Sequence, residues 1–372
     1  MVINMKVKIE KLDYYGRGIT HIDGKVCFVP NTLEDEEVEI EIVEDKKKYM
    51  IGKVTNYIKT SEKRISSKCK YYDICGGCNL AHISFEDENK FKVKIVNELF
   101  EHSCKYKVNI KDINYDGEFN YRNKIVLHSD GKRLGLYNDN SHDLVEIDKC
   151  LLVSDKINNC IFDLDKTKDQ IIRVSNDEKE ISINDRLMTS IGDKKYYLSK
   201  DSFFQINKTL TEKLYNCIRD YSNEINPLKV LDLFCGIGSI GIYIANDKYE
   251  ITGVDYSKSN IEDANKNSEL NNCENISFIC DRVENVIDEF DNYDLVIVDP
   301  PRAGLHKIVI DNLIRINSKY IIYVSCNPHT LIRDLNLLYD YYDLKDIKLF
   351  NMFPRTYHVE TVSVLSRKSV EK

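Results

Sequence analysis

The residue best suited to covalent chemistry stands near the end of the chain. Cys326 lies in the run SCNP (residues 325–328), directly after an apolar stretch typical of a strand and just before a predicted helix. The amino terminus of a helix carries partial positive charge, which favours the thiolate form of a nearby cysteine. We therefore interpret Cys326 as a nucleophile; the alternative is a buried, inert cysteine.

Two acids stand beside the ends of other predicted strands. Asp299 opens the run DPPR, whose prolines stop the strand and stiffen the following loop. At the carboxyl edge of an open α/β sheet, a rigid acid can accept hydrogen bonds from a flat polar base. Glu360 enters the last predicted strand and is a candidate general base; the alternative is a surface glutamate. We expect His358 to position the loop.

A glycine-rich loop follows the first strand of the carboxyl-terminal part. Gly236, Gly238 and Gly241 satisfy the pattern GxGxxG, and Asp255 ends the next strand, where a ribose-binding acid belongs. Three interpretations remain open from this motif alone. The loop binds a dinucleotide in an oxidoreductase, binds S-adenosylmethionine (SAM) in a methyltransferase, or only packs a helix.

The elements that must position these residues alternate regularly from about residue 201 to residue 372. Apolar strand-like runs alternate with helical stretches, which predicts an α/β fold with a largely parallel sheet and helices on both faces. The last two strands are expected to be antiparallel, because only a short loop separates them. We therefore expect residues 201–372 to form a Rossmann-like catalytic domain.

Two β-rich parts precede this domain. Residues 1–60 contain about five short alternating strands, which suggests a small OB-type β-barrel. Residues 61–200 mix short strands and turns and form a predicted central domain. Within it, residues 85–104 read as an amphipathic helix, which we expect to pack on the catalytic domain.

Cysteines cluster at the start of the central domain. Cys69, Cys75 and Cys78 place three thiols within ten residues, and the two glycines between the last pair permit a tight loop. Such spacing indicates a metal centre, and a cluster usually needs a fourth cysteine. An iron–sulfur cluster is the leading interpretation; zinc and an inert remnant are the alternatives.

Composition fits a globular protein of two or three domains. The chain has 372 residues, of which 42% are hydrophobic and 31% charged, with twelve cysteines. No apolar run suggests a membrane span or signal peptide, so we expect a cytoplasmic location, where disulfides are rare. The net charge of −8 argues against a nucleic-acid partner, but basic residues concentrate at 46–70, which allows a local RNA contact.

Three runs together resemble one family. DPPRAG (residues 299–304), IIYVSCNPHT (residues 321–330) and FPRTYHVE (residues 353–360) are similar to motifs of the RNA uracil-5-methyltransferases. The preceding architecture resembles the RumA-like branch that methylates 23S rRNA. That branch carries an amino-terminal TRAM domain, which is an OB-type RNA-binding barrel, and an iron–sulfur domain with a 4Fe–4S cluster.

The resemblance implies roles for individual residues. Cys326 would add to carbon 6 of uracil, Glu360 would remove the proton from carbon 5, and Asp299 would hold the uracil edge or support the enolate. Cys150 would be the fourth ligand of the cluster. The SAM pocket would be lined by Gln205, Phe234, Ser239, Asp255, Asp281 and Asp299.

Two positions depart from the usual family motif. Asn351 stands where an aspartate is common, and Arg355 where a glutamine or histidine is usual. Both lie near the candidate base, so its surroundings are expected to differ in this chain.

The resemblance predicts SAM-dependent methylation of a uridine, with 23S rRNA as the favoured partner and no obligate protein partner or membrane contact. The same reaction on tRNA is the alternative substrate. A non-catalytic RNA-binding protein and an NAD-linked or iron–sulfur oxidoreductase are the rival functions. The oxidoreductase leaves no role for the DPPR and SCNP runs. A 5-methylcytosine enzyme is disfavoured, because its cysteine usually follows a proline and Cys326 follows Ser325.

Overall fold

The computed structural model describes residues 5–139 and 141–369, and the strands within these ranges form three sheets and one separate hairpin. The first sheet comes from the amino-terminal residues, the second from the centre of the chain and the third from its carboxyl-terminal part. No helix in the described ranges is long and apolar enough to cross a membrane.

The amino-terminal sheet is built around a small apolar core that includes Val29, Val38 and Ile40. The order of its strands is β1-β5-β6-β4-β3-β2. Its strands are β1 (Met5–Lys8), β2 (Lys11–Leu12), β3 (Gly18–Ile22), β4 (Lys25–Val29), β5 (Glu37–Asp45) and β6 (Tyr49–Lys59).

The two outer strands of this sheet belong to one stretch of the chain. β1 and β2 are its outer strands, and no ladder between these two is formed within the described residues. They are consecutive parts of one stretch that changes partner. The amide of Ile9 donates to the carbonyl of Glu36 beside β5, and the amide of Glu10 donates to the carbonyl of Ile19 in β3, each at 2.9 Å. One stretch therefore pairs with β5 at one edge of the sheet and with β3 at the other, and the closed barrel stays a prediction.

The helix α1 (Phe85–Ser103) follows the cysteine-rich segment, close to its predicted limits. The hydroxyl of Ser84 caps it by accepting a hydrogen bond from the amide of Asp87 at 3.0 Å. Ile95 and Phe100 are buried in the same apolar cluster as strands of the third sheet. This helix therefore packs on the third sheet.

The central sheet is antiparallel throughout, in the order β11-β10-β7-β8-β9. A separate hairpin follows it, and its residues Leu187 and Tyr196 pack into the third sheet's apolar cluster. The elements are β7 (Lys124–Ser129), β8 (Leu134–Tyr137), β9 (Leu144–Glu146), α2 (Asp155–Cys160), β10 (Gln170–Val174), β11 (Ile181–Ile183), and the hairpin strands β12 (Leu187–Ile191) and β13 (Lys194–Leu198).

The third sheet has the predicted alternation of strands and helices. Its elements are α3 (Leu210–Ile225), β14 (Lys229–Leu233), α4 (Ser239–Ile244), β15 (Glu250–Asp255), α5 (Lys258–Leu270), β16 (Ile276–Cys280), α6 (Val283–Val286), β17 (Leu295–Val298), α7 (Lys307–Ile316), β18 (Tyr320–Ser325), α8 (Pro328–Leu338), β19 (Tyr342–Phe350) and β20 (Glu360–Arg367).

The strand order of this sheet is β16-β15-β14-β17-β18-β20-β19. Its first five strands are parallel neighbours, and β20 runs antiparallel to both β18 and β19. The predicted antiparallel pair at the end of the chain is confirmed. Because β20 lies between β18 and β19, its first residue meets the carboxyl end of β18.

A buried carboxylate links the amino-terminal sheet to the segment that follows it. The side chain of Glu36 is fully buried and accepts two hydrogen bonds from the guanidinium of Arg64, at 2.5 and 2.7 Å. It also accepts from the amides of Leu33 and Ser61, at 2.8 and 3.1 Å. Burial raises the pKa of Glu36, but these hydrogen bonds outweigh it, so the pKa lies below its usual value.

We predict that Glu36→Gln destabilises the protein by about 3 kcal/mol at neutral pH, because it leaves the charge of Arg64 largely buried without a carboxylate. Urea unfolding would measure the change. Since the pKa of Glu36 is lowered on folding, the difference from wild type should shrink as the pH falls through that pKa.

The matched control is the neighbouring Glu37→Gln. Glu37 forms an exposed ion pair with Lys6 at 2.8 Å, so its loss should cost less than about 1 kcal/mol. Equal losses of stability for the two variants would contradict the anchoring role of Glu36.

Candidate active site

The strand order brings the predicted reactive residues to one edge of the third sheet. Asp299 and Cys326 follow directly on the parallel neighbours β17 and β18. β20 pairs with β18 so that Ser325 lies opposite Thr361. Glu360 therefore begins β20 at the point where Cys326 leaves β18, and the two acids flank the thiol.

Cys326 is held in a short turn between β18 and α8. The hydroxyl of Ser325 accepts a hydrogen bond from the amide of Asn327 at 3.2 Å, and the side chain of Asn327 caps α8 by accepting from the amide of His329 at 3.1 Å. The thiol is partly accessible. Burial raises its pKa to about 12, and Glu360 and Asp299 contribute, while Arg302 opposes them. The expectation that the helix end favours the thiolate is wrong for the protein alone, because burial and two acids dominate.

The two acids also affect each other. Burial raises the pKa of Asp299 to about 7. Burial and the neighbouring Asp299 raise the pKa of Glu360 well above its usual value, against the lowering effect of Arg302. These groups therefore favour their neutral forms unless positive charge is brought to them.

The positive charge of Arg302 lowers the pKa of both Cys326 and Glu360. A histidine orients this arginine. Its guanidinium lies 2.9 Å from Nε2 of His358. Burial and the positive charges of Arg302, Lys92 and Arg122 lower the pKa of His358 to about 3. His358 is thus neutral at physiological pH, and its ring nitrogen can accept the hydrogen bond from Arg302.

The predicted cofactor loop, residues 234–238, connects β14 with α4. Phe234, Gly236 and Gly238 have φ values of 63°, 55° and 74°, in the left-handed region. A Cβ on Gly238 would lie 2.7 Å from the ring of Phe278, so this position requires glycine. Among the described residues, no atom lies within 4 Å of a Cβ built on Gly236. The backbone there is open to a ligand.

Two acids predicted to line the cofactor pocket, Asp255 and Asp281, lie at the same edge of the sheet as Cys326. Asp255 ends β15, and its carboxylate accepts hydrogen bonds from the amides of Gly236 and Ser257, at 3.1 and 2.9 Å. Asp281 follows β16 and accepts from the side chain of Asn285 at 2.8 Å. Asp255 is thereby fixed against the glycine loop, whereas Asp281 is partly exposed beside it.

The other two candidate pocket residues are anchored from outside the loop. Ser239 starts α4, and its hydroxyl forms a hydrogen bond of 2.8 Å with the hydroxyl of Tyr215. Gln205 is buried. Two residues further on, the side chain of Asn207 donates to the carbonyl of Met352 at 3.2 Å. The segment that carries Gln205 is therefore attached to the loop that precedes Glu360.

Sequence reasoning gave no role to two charged groups at this edge. Arg302 was part of the DPPR run, and its place directly after the prolines was the signal that could have identified it. Asp232 in β14 is buried, and one oxygen accepts from the amide of Gly241 at 3.1 Å. Burial raises the pKa of Asp232 to about 7. It holds the helix that follows the glycine loop.

A buried network attaches α1 to residues 351–359, the loop that precedes Glu360. The side chain of Lys92 is fully buried. Its ammonium group lies 2.9 Å from the carboxylate of Glu88 and donates to the side-chain oxygen of Asn351 at 2.6 Å and the carbonyl of Phe353 at 3.3 Å. Burial lowers the pKa of Lys92, although Glu88 acts in the opposite direction.

Both departures from the usual family motif belong to this network. The amide of the Asn351 side chain donates to Glu88 and Asn89, at 3.0 and 2.8 Å. The backbone amide of Arg355 donates to Glu88 at 3.0 Å, and its guanidinium pairs with Glu118. An aspartate at position 351 would place a second carboxylate against Glu88. The neutral Asn351 avoids that repulsion, and Arg355 supplies the partner of Glu118.

The four predicted cluster ligands line one pocket of about 990 Å³. Burial raises the pKa of Cys78, and Cys150, Cys75 and Cys69 raise it further, so the thiols lie within electrostatic reach of one another. A Cβ on Gly76 would approach the backbone of Asp139 to 3.0 Å, which explains the need for glycine in this loop. Across residues 5–139 and 141–369, however, no three or more histidine, cysteine or acidic side chains are grouped so as to hold a metal ion. The structure gathers the four cysteines around one pocket, and the metal site itself stays a prediction.

Known proteins resemble this chain over nearly its whole length. Residues 154–368 match the tRNA (Uracil-5-)-methyltransferase family, and residues 4–55 match the TRAM domain. An uncharacterized RNA methyltransferase of Staphylococcus aureus is 31% identical over 96% of both chains. A relative with the same description from Staphylococcus epidermidis is 29% identical, over 98% of this chain and 97% of its own.

A solved structure agrees with these matches. The tRNA (uracil-54, C5)-methyltransferase of Pyrococcus abyssi, in complex with S-adenosyl-L-homocysteine, is 25% identical and superposes with a TM-score of 0.77. The likeness covers 97% of this chain and 99% of that one.

We predict that Lys92→Met destabilises the protein by about 3 kcal/mol, because it removes the nearer of the two cations from buried Glu88 and leaves the guanidinium of Arg355 at 3.6 Å. The backbone amide of Arg355 donates to Glu88. Its hydrogen-exchange rate should therefore be higher in Lys92→Met than in wild type.

The control is Lys90→Met on the same helix. Lys90 forms an exposed ion pair with Glu86, so this variant should unfold within about 0.5 kcal/mol of wild type. If both variants exchanged the Arg355 amide at the wild-type rate, the network would not hold the loop.

Proposed function

Since the chain belongs to the SAM-dependent RNA uracil-5-methyltransferase family, we propose that it methylates carbon 5 of a uridine in RNA through a covalent bond from Cys326 to carbon 6. One observation carries the proposal: a thiol lies between two acids at the carboxyl edge of the sheet. A nucleophile beside a general base is what covalent catalysis requires.

The chemistry explains why a cysteine is needed. Carbon 5 of uracil is too weak a nucleophile to take a methyl group unaided. Addition of the Cys326 thiolate to carbon 6 makes carbon 5 part of an enolate. Carbon 5 would then take the methyl group of SAM, whose sulfur–methyl bond breaks to leave S-adenosylhomocysteine. Removal of the proton from carbon 5 then expels the thiolate and restores the double bond. The methyl group replaces one proton, and the cysteine is regenerated.

The Cys326 thiol must lose its proton before it can add. In the protein alone its pKa is about 12, raised by burial, Glu360 and Asp299. Positive charge at the same edge lowers such a pKa. Arg302 supplies one charge, and SAM would supply a second through its sulfonium when it is bound. We therefore propose that the reactive thiolate forms mainly in the loaded enzyme.

Glu360 and Asp299 have different tasks in this proposal. Glu360 removes the proton from carbon 5; its raised pKa makes its carboxylate a stronger base than that of an exposed glutamate. Asp299, with a pKa of about 7, is protonated in a large fraction of molecules at neutral pH. In that form it can donate a hydrogen bond to the uracil oxygen that becomes the enolate.

The glycine loop and its neighbours are the proposed SAM pocket. The open backbone at Gly236 admits the ligand, and the carboxylate of Asp255 beside it can accept the ribose hydroxyls. The residues proposed to line the pocket are Gln205, Phe234, Ser239, Asp255, Asp281 and Asp299.

The proposed substrate is 23S rRNA, and the proposed location is the cytoplasm. The support is the resemblance of the motifs and the cysteine-rich part to the rRNA branch of the family. A tRNA is the second candidate, because the similar Pyrococcus abyssi protein is named for a tRNA uracil and shares the fold.

We also propose that Cys69, Cys75, Cys78 and Cys150 hold a 4Fe–4S cluster, with zinc as the alternative. The proposed donor set is the four thiols that line one pocket, and four cysteine thiolates are the usual ligands of such a cluster. Such a cluster would tie the loop of the first three cysteines to the segment before α2. Its role would be structural, because the proposed reaction transfers no electrons.

The function is tested by incubating the protein with SAM labelled in its methyl group and total RNA that lacks the modification. Wild type should place label in 5-methyluridine of large rRNA, and Cys326→Ala should lose it by several orders of magnitude. Glu360→Gln should accumulate a covalent RNA–protein adduct, because the proton on carbon 5 is not removed.

Cys160→Ala is the control, because Cys160 lies in α2, away from the catalytic edge; it should retain wild-type activity. Label in tRNA would support the proposed mechanism but would show that tRNA, and not 23S rRNA, is the substrate. Absence of label in every RNA from folded wild-type protein would refute the proposed reaction.

The cluster is tested on protein purified without oxygen. We expect about four iron and four sulfide per chain, lost in Cys78→Ser and Cys150→Ser and kept in Cys160→Ser. Zinc without sulfide would select the alternative, and neither metal in the intact protein would contradict both.

A further inference from the structure

The turn between β2 and β3 brings part of the amino-terminal sheet to the catalytic edge. The carbonyl of Asp13 accepts a hydrogen bond from the amide of Gly16 at 3.0 Å, and Gly16 has a φ of 76°. The carboxylate of Asp13 accepts from the amide of Arg17 at 2.8 Å and from its guanidinium at 2.6 and 2.8 Å. This small, rigid turn presents Tyr14 and Tyr15 towards the third sheet.

Tyr14 reaches the neighbourhood of the nucleophile. Its ring is 7% exposed and packs edge-to-face on His329 at 4.8 Å and on Tyr357 at 5.5 Å between ring centroids. Burial raises the pKa of its hydroxyl, and Tyr357 and Cys326 raise it further. The hydroxyl therefore lies within electrostatic reach of the thiol.

Tyr15 continues this row of rings outward. It is 45% exposed, and its ring packs edge-to-face on Tyr357 at 5.1 Å. The guanidinium of Arg17 lies 5.0 Å from its ring centroid. A row of aromatic rings, Tyr14, Tyr357 and Tyr15, thus leads from Cys326 to solvent and ends beside a cation.

A uridine that reaches Cys326 remains joined to its neighbours in the RNA strand. Its flanking nucleotides must therefore leave the cleft along the walls beside the thiol. Aromatic rings stack on any exposed base, whatever its identity. A protein partner would find only one exposed ring here, whereas a single unstacked base needs no more.

We propose that Tyr15, backed by Tyr357 and flanked by Arg17, is the stacking platform for the base next to the target uridine. The inference rests on the proposed function, since it assumes that the uridine reacts at Cys326. Tyr15 is then a positioning residue for the RNA, and Tyr14 mainly joins the amino-terminal sheet to the catalytic one.

The kinetic test compares Tyr15→Ala, Tyr15→Phe and Tyr341→Ala in the full-length protein, with RNA as the varied substrate. Tyr341 is the control, because it is similarly exposed, at 41%, and packs on Arg367 at the other end of the sheet. We expect Tyr15→Ala to raise KM for RNA about tenfold with kcat little changed. Tyr15→Phe and Tyr341→Ala should stay near wild type.

A binding test separates this inference from the proposed function. The probes are short single-stranded oligoadenylates with one central uridine, intact or lacking the base on one side of it, followed by fluorescence anisotropy without SAM. In wild type, loss of one flanking base should weaken binding about as much as Tyr15→Ala does. In Tyr15→Ala, the same loss should have no further effect.

The two failures are distinguishable. If wild type methylates RNA but Tyr15→Ala matches it in KM and in binding, the platform is refuted and the function stands. The platform is also refuted if loss of the flanking base and Tyr15→Ala have additive effects. If wild type binds the probes with the expected coupling but methylates no RNA, the function fails and the platform stands.

Discussion

Three groups that become negative when ionised lie at one edge of the sheet. The repulsion between their negative charges is the constraint on which the rest of the active site depends. Cys326, Asp299 and Glu360 each have a raised pKa, because burial and proximity oppose more than one negative charge. Arg302 is the cation that the fold places against them, and neutral His358 orients it. A cofactor that carries positive charge fits an edge where protein charge alone leaves the thiol protonated.

The position of Glu360 depends on elements outside the catalytic sheet. The loop before it is attached to α1 through Lys92 and Glu88, and it is attached to the segment of Gln205 through Asn207. Buried ion pairs add little stability by themselves, but breaking one is costly. The network therefore acts mainly as a geometric constraint, which fixes where the base enters the cleft.

Much of the catalytic edge could be predicted, because the carboxyl ends of parallel strands meet at one side of a sheet. Asp299, Cys326 and the glycine loop needed only that rule, and Glu360 needed the antiparallel last strand. The ionisation of Cys326 could not be predicted, since the charges that control it arrive from other strands. The contacts of Tyr14 and Lys92 could not be predicted either, because their partners lie far away in sequence. The OB-type barrel was inferred from strand number, which does not determine how the strands pair.

The buried pairing of Lys92 with Asn351 spans 259 residues, and this separation has a consequence for synthesis. At about 5–20 residues per second, α1 leaves the ribosome roughly 13–50 s before the loop that covers it. During that interval Lys92 has its helix partner Glu88 but lacks the oxygens of Asn351 and Phe353. The network around Glu88 is therefore completed only after the carboxyl-terminal loop has been made, and the catalytic edge is completed with it.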